Sequence, residues 1–92
     1  MRQAATTRYC AGEPMRTASC ADKQRVLSFM SSLDPVAAAA GYVRDEVTGG
    51  YVIGVTELAY EHADWEWYQR DIYHLDKYDL ELDPDFIAMA LS

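Results

Sequence analysis

Ten carboxylates crowd into residues 57–85: Glu57, Glu61, Asp64, Glu66, Asp71, Asp76, Asp79, Glu81, Asp83 and Asp85 stand against Arg70 and Lys77 alone, a net of -8. Tyr60, Trp65, Trp67, Tyr68, Tyr73 and Tyr78 are interleaved with them. Carboxylates at this density serve acid–base catalysis, cation binding or the attraction of a basic partner, and spacing decides among the three. For catalysis the partners on offer are His62 beside Asp64 and His74 beside Asp71, pairings that a chain so rich in acids produces by chance. A nucleophile needs Ser, Cys or Thr set against a base and an oxyanion donor. The serines here stand at helix starts or ends, where capping explains them. No glycine-rich phosphate loop and no nucleophile elbow is present.

Cation binding fares no better. Zinc sites use Cys or His in pairs two to five residues apart, whereas Cys10 and Cys20 are separated by nine residues and His62 and His74 by eleven. Asp79, Glu81, Asp83 and Asp85 alternate like the start of a calcium loop, yet Pro84 stands where that loop needs Gly and Ala90 where it needs the bidentate Glu. The chain is therefore expected to be non-catalytic, without metal or cofactor. The remaining chemistry is recognition. In an extended segment residues two apart share a face and lie roughly 6.6 Å from each other, so Asp79, Glu81, Asp83 and Asp85 form a negative row while Leu80 and Leu82 face the core.

The elements that must position these groups follow from periodicity. Val26, Phe29, Met30 and Leu33 fall on one helical face, predicting an amphipathic helix over residues 21–33 with Ser19 and Asp22 as a capping box. Asp34-Pro35 reads as a second N-cap and first-turn proline, with short helical turns over 36–40 ended by Gly41. At Tyr42 the period changes to two. Residues 42–47 and 51–55 read as a hairpin around Gly49-Gly50. Residues 56–64 read as a crossing, Asp64 to Trp67 as a short strand, and 69–78 as a helix with Asp71 early and Lys77 late, in accord with the macrodipole. Asp83-Pro84 starts a last helix through Phe86, Ile87, Ala90 and Leu91. The fold class is α+β: one small domain, with a short antiparallel sheet and a hairpin near 42–55 packed by three or four short helices.

The chain has 92 residues, half of them hydrophobic and 12% aromatic, with 8 basic against 15 acidic side chains and a formal net charge of -7. That is enough apolar material for one core and too little length for two domains. The charge is unevenly placed. Residues 1–20 carry Arg2, Arg8 and Arg16 against Glu13, whereas residues 21–92 carry five basic and fourteen acidic groups. The first twenty residues are accordingly expected to be an N-terminal extension, of which residues 1–14 are dispensable if translation starts at Met15, and residues 21–92 the folded domain. No apolar stretch of signal-peptide length follows the arginines, and the extension is short for a transit peptide. The longest apolar run, 36–40, falls far short of the ~20 residues of a spanning helix. Two cysteines are fewer than a stapled secreted domain of this size carries. Two free thiols in the cytoplasm are expected, with a single Cys10–Cys20 bridge as the alternative. An acidic surface repels phosphate, which argues against direct nucleic-acid binding and against anionic membranes.

Two readings of the acidic aromatic segment remain. In one, the acids solvate a surface and the aromatics fill the core. In the other, they form a protein-binding face, because Trp and Tyr anchor interfaces and carboxylates steer a basic partner. The residues that face would use are Glu57, Glu61, Asp64, Trp65, Glu66, Trp67, Asp71, Asp76, Asp79, Glu81, Asp83 and Asp85. Trp65 and Trp67 decide between the readings, since in a strand they share one face and Glu66 takes the other.

The stretch from Trp67 through Gln69, Arg70, Asp71 and His74 to Tyr78, continuing into Leu80, Leu82, Phe86 and Ile87, resembles the C-terminal portion of small uncharacterised proteins carried by bacteria and their mobile elements. In size, acidity and lack of catalytic residues the chain is also similar to phage-encoded anti-CRISPR proteins. Such proteins occupy nucleic-acid-binding or effector-docking surfaces of CRISPR complexes. The resemblance implies a non-catalytic inhibitor whose partner is a protein with a basic surface, a CRISPR effector. The alternative is an immunity protein or antitoxin covering a basic nuclease toxin.

Overall fold

The computed structural model describes residues 1–7, 9 and 14–92. Its elements in chain order are β1 (Arg2–Gln3), α1 (Lys23–Ser32), β2 (Ala37–Arg44), β3 (Tyr51–His62), β4 (Trp65–Tyr68), α2 (Gln69–Tyr78) and α3 (Pro84–Leu91). The strands form one sheet in the order β1-β4-β3-β2, antiparallel except that β1 runs parallel to β4. This is the expected α+β architecture, with three helices. No helix of the described residues is long and apolar enough to cross a membrane.

The core lies between one face of the sheet and the helices. Tyr60, Trp65 and Trp67 point into it and meet Val26, Leu27 and Met30 of α1, Ile72 and Leu75 of α2, and Phe86 of α3. Trp67 is completely buried. Its ring stacks on Tyr60 at 6.0 Å, meets Phe86 edge-on at 5.3 Å, and its Nε1–H donates to the Met30 carbonyl at 3.2 Å. A buried indole needs such an acceptor, because an unpaired N–H would cost much of what ring burial contributes. Leu80 and Leu82 are buried as their alternation predicts, and each forms a bridge to the N-terminal segment, with Thr17 and Ala5 respectively.

Several elements differ from their sequence expectation. Residues 36–40 are not helical: Ala37, Ala38, Ala39 and Ala40 open β2, with the Val36 N–H bound to the Ala59 carbonyl at 2.8 Å. Five residues are too few for a stable isolated helix, whatever the propensity of alanine, and pairing with β3 supplies a partner for each inward backbone group. Gly41 does not end a helix. It sits at φ 102°, where the β2–β3 register shifts. Residues 56–64 are not a crossing but the second half of β3, in which Leu58 and Tyr60 face the core while Glu57, Ala59 and Glu61 face away. The turn into β4 places Ala63 and Asp64 at φ 50° and 69°, the two left-handed residues that a tight hairpin of this hand requires. α1 starts at Lys23, and its N-cap Asp22 makes no side-chain cap, pairing instead with Arg25 at 3.6 Å.

The N-terminal segment is woven into the domain and is not an appendage. Ala4 is fully buried. The Arg2 and Ala4 N–H groups donate to the Asp64 and Glu66 carbonyls, and the Asp83 N–H donates to the Ala4 carbonyl at 2.8 Å. Further along, the Glu81 N–H donates to the Arg16 carbonyl and the Ala18 N–H to the Asp79 carbonyl, both at 2.9 Å. Cys20 is a half-buried free thiol. Cys10, and with it the bridge alternative, lies outside the described residues.

Candidate functional site: the open acidic face of the sheet

The helices pack on the Tyr60, Trp65 and Trp67 side of the sheet, so the opposite side carries the outward residues of β3 and β4. Cross-strand pairing there is specified by register. Ala59 lies opposite Tyr68, and Glu61 lies opposite Glu66, which in turn pairs with Gln3 of β1. Two carboxylates thus stand directly across one ladder, an arrangement that is unfavourable between like charges. Gln3 Nε2 donates to Glu66 Oε1. Among the described residues no Lys, Arg or His forms an ion pair with Glu61 or Glu66. Glu57 lies further along the same side of β3, where its Oε1 accepts the Arg70 N–H at 3.2 Å.

Arg70 stands beside Glu57 at this face, and it is held by aromatic rings. Its guanidinium lies 4.4 Å from the Tyr9 ring centre and 4.9 Å from that of Tyr68, an attraction between the cation and the ring quadrupoles. Two clefts share Tyr68 and Arg70. One, of about 420 Å³, runs under Tyr9 and Asp71, and the other, of about 340 Å³, runs beside Glu57 and the alanines of β2.

The remaining expected site residues fall elsewhere. Trp65 and Trp67 are core: their shared face is the inner one, so they anchor the fold and cannot touch a partner. Arg2 closes over Trp65 at 4.0 Å and pairs with Asp85 at 3.1 Å and Asp83 at 3.7 Å, neutralising much of the expected row. Asp83 is also the N-cap of α3, accepting the Asp85 N–H at 2.9 Å. Glu81 Oε1 accepts the Thr6 hydroxyl at 2.6 Å. Asp79 is the left-handed C-cap of α2 and pairs with Lys23 at 2.8 Å, while Lys23 also caps the Asp76 carbonyl. Asp64 and Asp76 are exposed.

Asp71 is buried and inaccessible. Its Oδ2 accepts the Tyr68 N–H at 2.8 Å and its Oδ1 accepts the Tyr9 hydroxyl at 2.8 Å. Burial pushes the Asp71 carboxyl above its ordinary range, against the opposing pull of those two bonds and of Arg70. Burial, together with the Asp71 charge, likewise raises the Tyr9 hydroxyl. Of the twelve expected residues, the open face gathers Glu57, Glu61 and Glu66, with Asp64 at its rim.

The histidines are structural. His74 is fully buried, with Nδ1 2.6 Å from the Arg70 carbonyl and Nε2 accepting the Glu46 N–H at 3.0 Å. Those two bonds require the neutral ring with the proton on Nδ1. His62 packs edge-on against Phe29 at 5.5 Å. Beside His74 lies a cluster that periodicity does not reveal: buried Asp45 accepts the hydroxyls of Tyr73 at 2.6 Å and Tyr78 at 2.7 Å and the N–H groups of Val47 and Thr48. Burial alone would raise the Asp45 carboxyl. The two hydroxyls and two N–H groups outweigh it and hold the group well below the usual carboxylate range. This cluster fastens the β2–β3 turn to α2. A sequence signal for it exists in Asp45, which opens the turn and caps two N–H groups as an aspartate there characteristically does.

Among the described residues no three His, Cys, Asp or Glu side chains converge on a point that could hold a metal ion. Comparison with family models, with curated proteins and with solved structures finds no match.

Proposed function

We propose that this chain is a non-catalytic inhibitor that lays the open face of its sheet against a basic surface of a protein complex, with the nucleic-acid-binding surface of a CRISPR effector as the leading partner. The observation that carries the proposal is the opposition of Glu61 and Glu66, neither of which forms an ion pair among the described residues. A fold gains nothing from like charges placed across a ladder. A partner presenting Lys or Arg gains two carboxylates already fixed at one point, with Glu57 and Asp64 extending the same field. Charges placed in this way steer encounter and exclude partners of the wrong sign.

The test is the affinity for a purified effector as salt is raised. Binding that weakens steadily with salt supports the electrostatic face, and affinity that holds constant from low to high salt contradicts it. A basic nuclease toxin, run in parallel, distinguishes the immunity-protein reading, which also requires a toxin gene alongside.

A further inference from the structure

The sheet has two edges of unlike character. The β1 edge is two residues long and runs directly into hydrogen bonds with residues 81 and 83. The other edge is β2, which is eight residues long, and among the described residues no strand covers its outer side. From Val36 to Val43 it carries no charged side chain. Ala37, Ala38, Ala39, Ala40, Gly41 and Tyr42 are all exposed, with Val36 57% and Tyr42 47% accessible. Native edges are usually blunted by Lys, by inward charges or by an overlying element. Among the described residues such devices here are Pro35, just before the strand, and the Gly41 bulge within it.

We propose that β2 pairs antiparallel with β2 of a second copy, joining two four-stranded sheets about a two-fold axis at Ala38 or Ala39. The charges flanking the edge choose this occupant. Asp34 precedes the uncharged stretch and Arg44 ends it. Asp34 is exposed and, among the described residues, forms no ion pair, while Arg44 is half exposed, its Nε donating to the Gly49 carbonyl at 3.3 Å and its guanidinium reaching Glu46 only at 4.0 Å. Antiparallel pairing about an axis at Ala39 brings the Asp34 flank, just before β2, to the Arg44 end of the partner subunit's strand, and this happens twice. With the axis at Ala38 the same two flanks meet, offset by two residues and still within reach of an arginine. Parallel pairing would instead set Asp34 beside its own copy. The strand therefore carries both halves of its complement, as an isologous interface requires. The alanines leave the approach of the two backbones unobstructed. The contact is small, so the dimer forms in a concentration-dependent equilibrium.

Sedimentation velocity on the full chain tests this over about two orders of magnitude in concentration. The sedimenting mass is expected to move from that of the 10.4 kDa monomer towards twice that value. Ala39→Lys, which sets charges against each other at the axis, is expected to abolish association. Asp34→Arg and Arg44→Glu are each expected to weaken it about tenfold, and the double exchange to restore it, with circular dichroism and melting confirming that every variant is folded. A chain that stays monomeric throughout, association indifferent to Ala39→Lys, or a double exchange that fails to restore pairing would overturn the proposal. A monomeric chain that instead takes up an extended segment of another protein along β2 overturns it as well.

Discussion

Glu61 on β3 stands directly opposite Glu66 on β4, on the side of the sheet away from Tyr60 and Trp67. Cross-strand pairs of like charge are destabilising by roughly 0.2–1 kcal/mol. Relieving this one by Glu61→Gln is therefore expected to raise stability by about 0.5 kcal/mol, read as a small upward shift in denaturant midpoint at unchanged slope. The same substitution is expected to weaken partner binding. A surface residue whose removal stabilises the fold is characteristic of a site kept for function. An unchanged or lowered midpoint would show that the pair carries no strain of its own.

Asp45 gives the fold a pH dependence of definite sign. Its carboxyl has an ordinary value near 4 when unfolded and lies well below that range when folded. The stability it contributes is thus complete above about pH 5 and is lost as the pH falls through the acid range. Asp71 works in the opposite sense, because burial raises its carboxyl and acidification relieves the buried charge. The two are separated by comparing the native chain with Asp45→Asn. The variant is expected to be less stable by about 2 kcal/mol at neutral pH, with the gap closing as the pH approaches about 2. A gap that persists undiminished in acid would mean that the carboxylate charge is not what fastens the turn.

Deleting residues 1–14 removes the β1 ladder, the buried Ala4 and the Arg2 cover over Trp65. At about 1 kcal/mol for each lost backbone bond, the expected loss is about 3–5 kcal/mol, a large share of the ~5–15 kcal/mol that holds a domain together. Urea unfolding measures it. Tryptophan emission of the folded state should also move to longer wavelength as Trp65 meets water. A truncated chain as stable as the full one would show that the segment adds nothing to the fold.

Periodicity and punctuation made much of this architecture legible. α2 and α3 lie where Asp71, Lys77 and Asp83-Pro84 predict, and Trp65 with Trp67 forms a strand as their spacing implies. The misread elements share a cause, which is that tertiary pairing overrode local propensity. Four alanines became an edge strand because β3 needed a neighbour. The alternation of Glu57, Ala59 and Glu61 with Leu58 and Tyr60 was a strand signal masked by its polar half. β1 is only two residues long and has no period to read. For the site, the density of acids was visible, but its division was not. The helix caps and ion pairs that occupy Asp71, Asp79, Asp83 and Asp85 depend on Tyr68, Lys23 and Arg2, and all but one of these contacts are remote in sequence.

Capture of partners from the native host by the full chain, compared with the Glu57→Lys, Glu61→Lys, Glu66→Lys triple variant, addresses the acidic face most directly. The native chain is expected to retain a basic protein or complex at low salt and release it as salt rises. The folded triple variant is expected to retain none of it. Equal capture by the two chains, or capture indifferent to salt, would contradict a role for this face in binding.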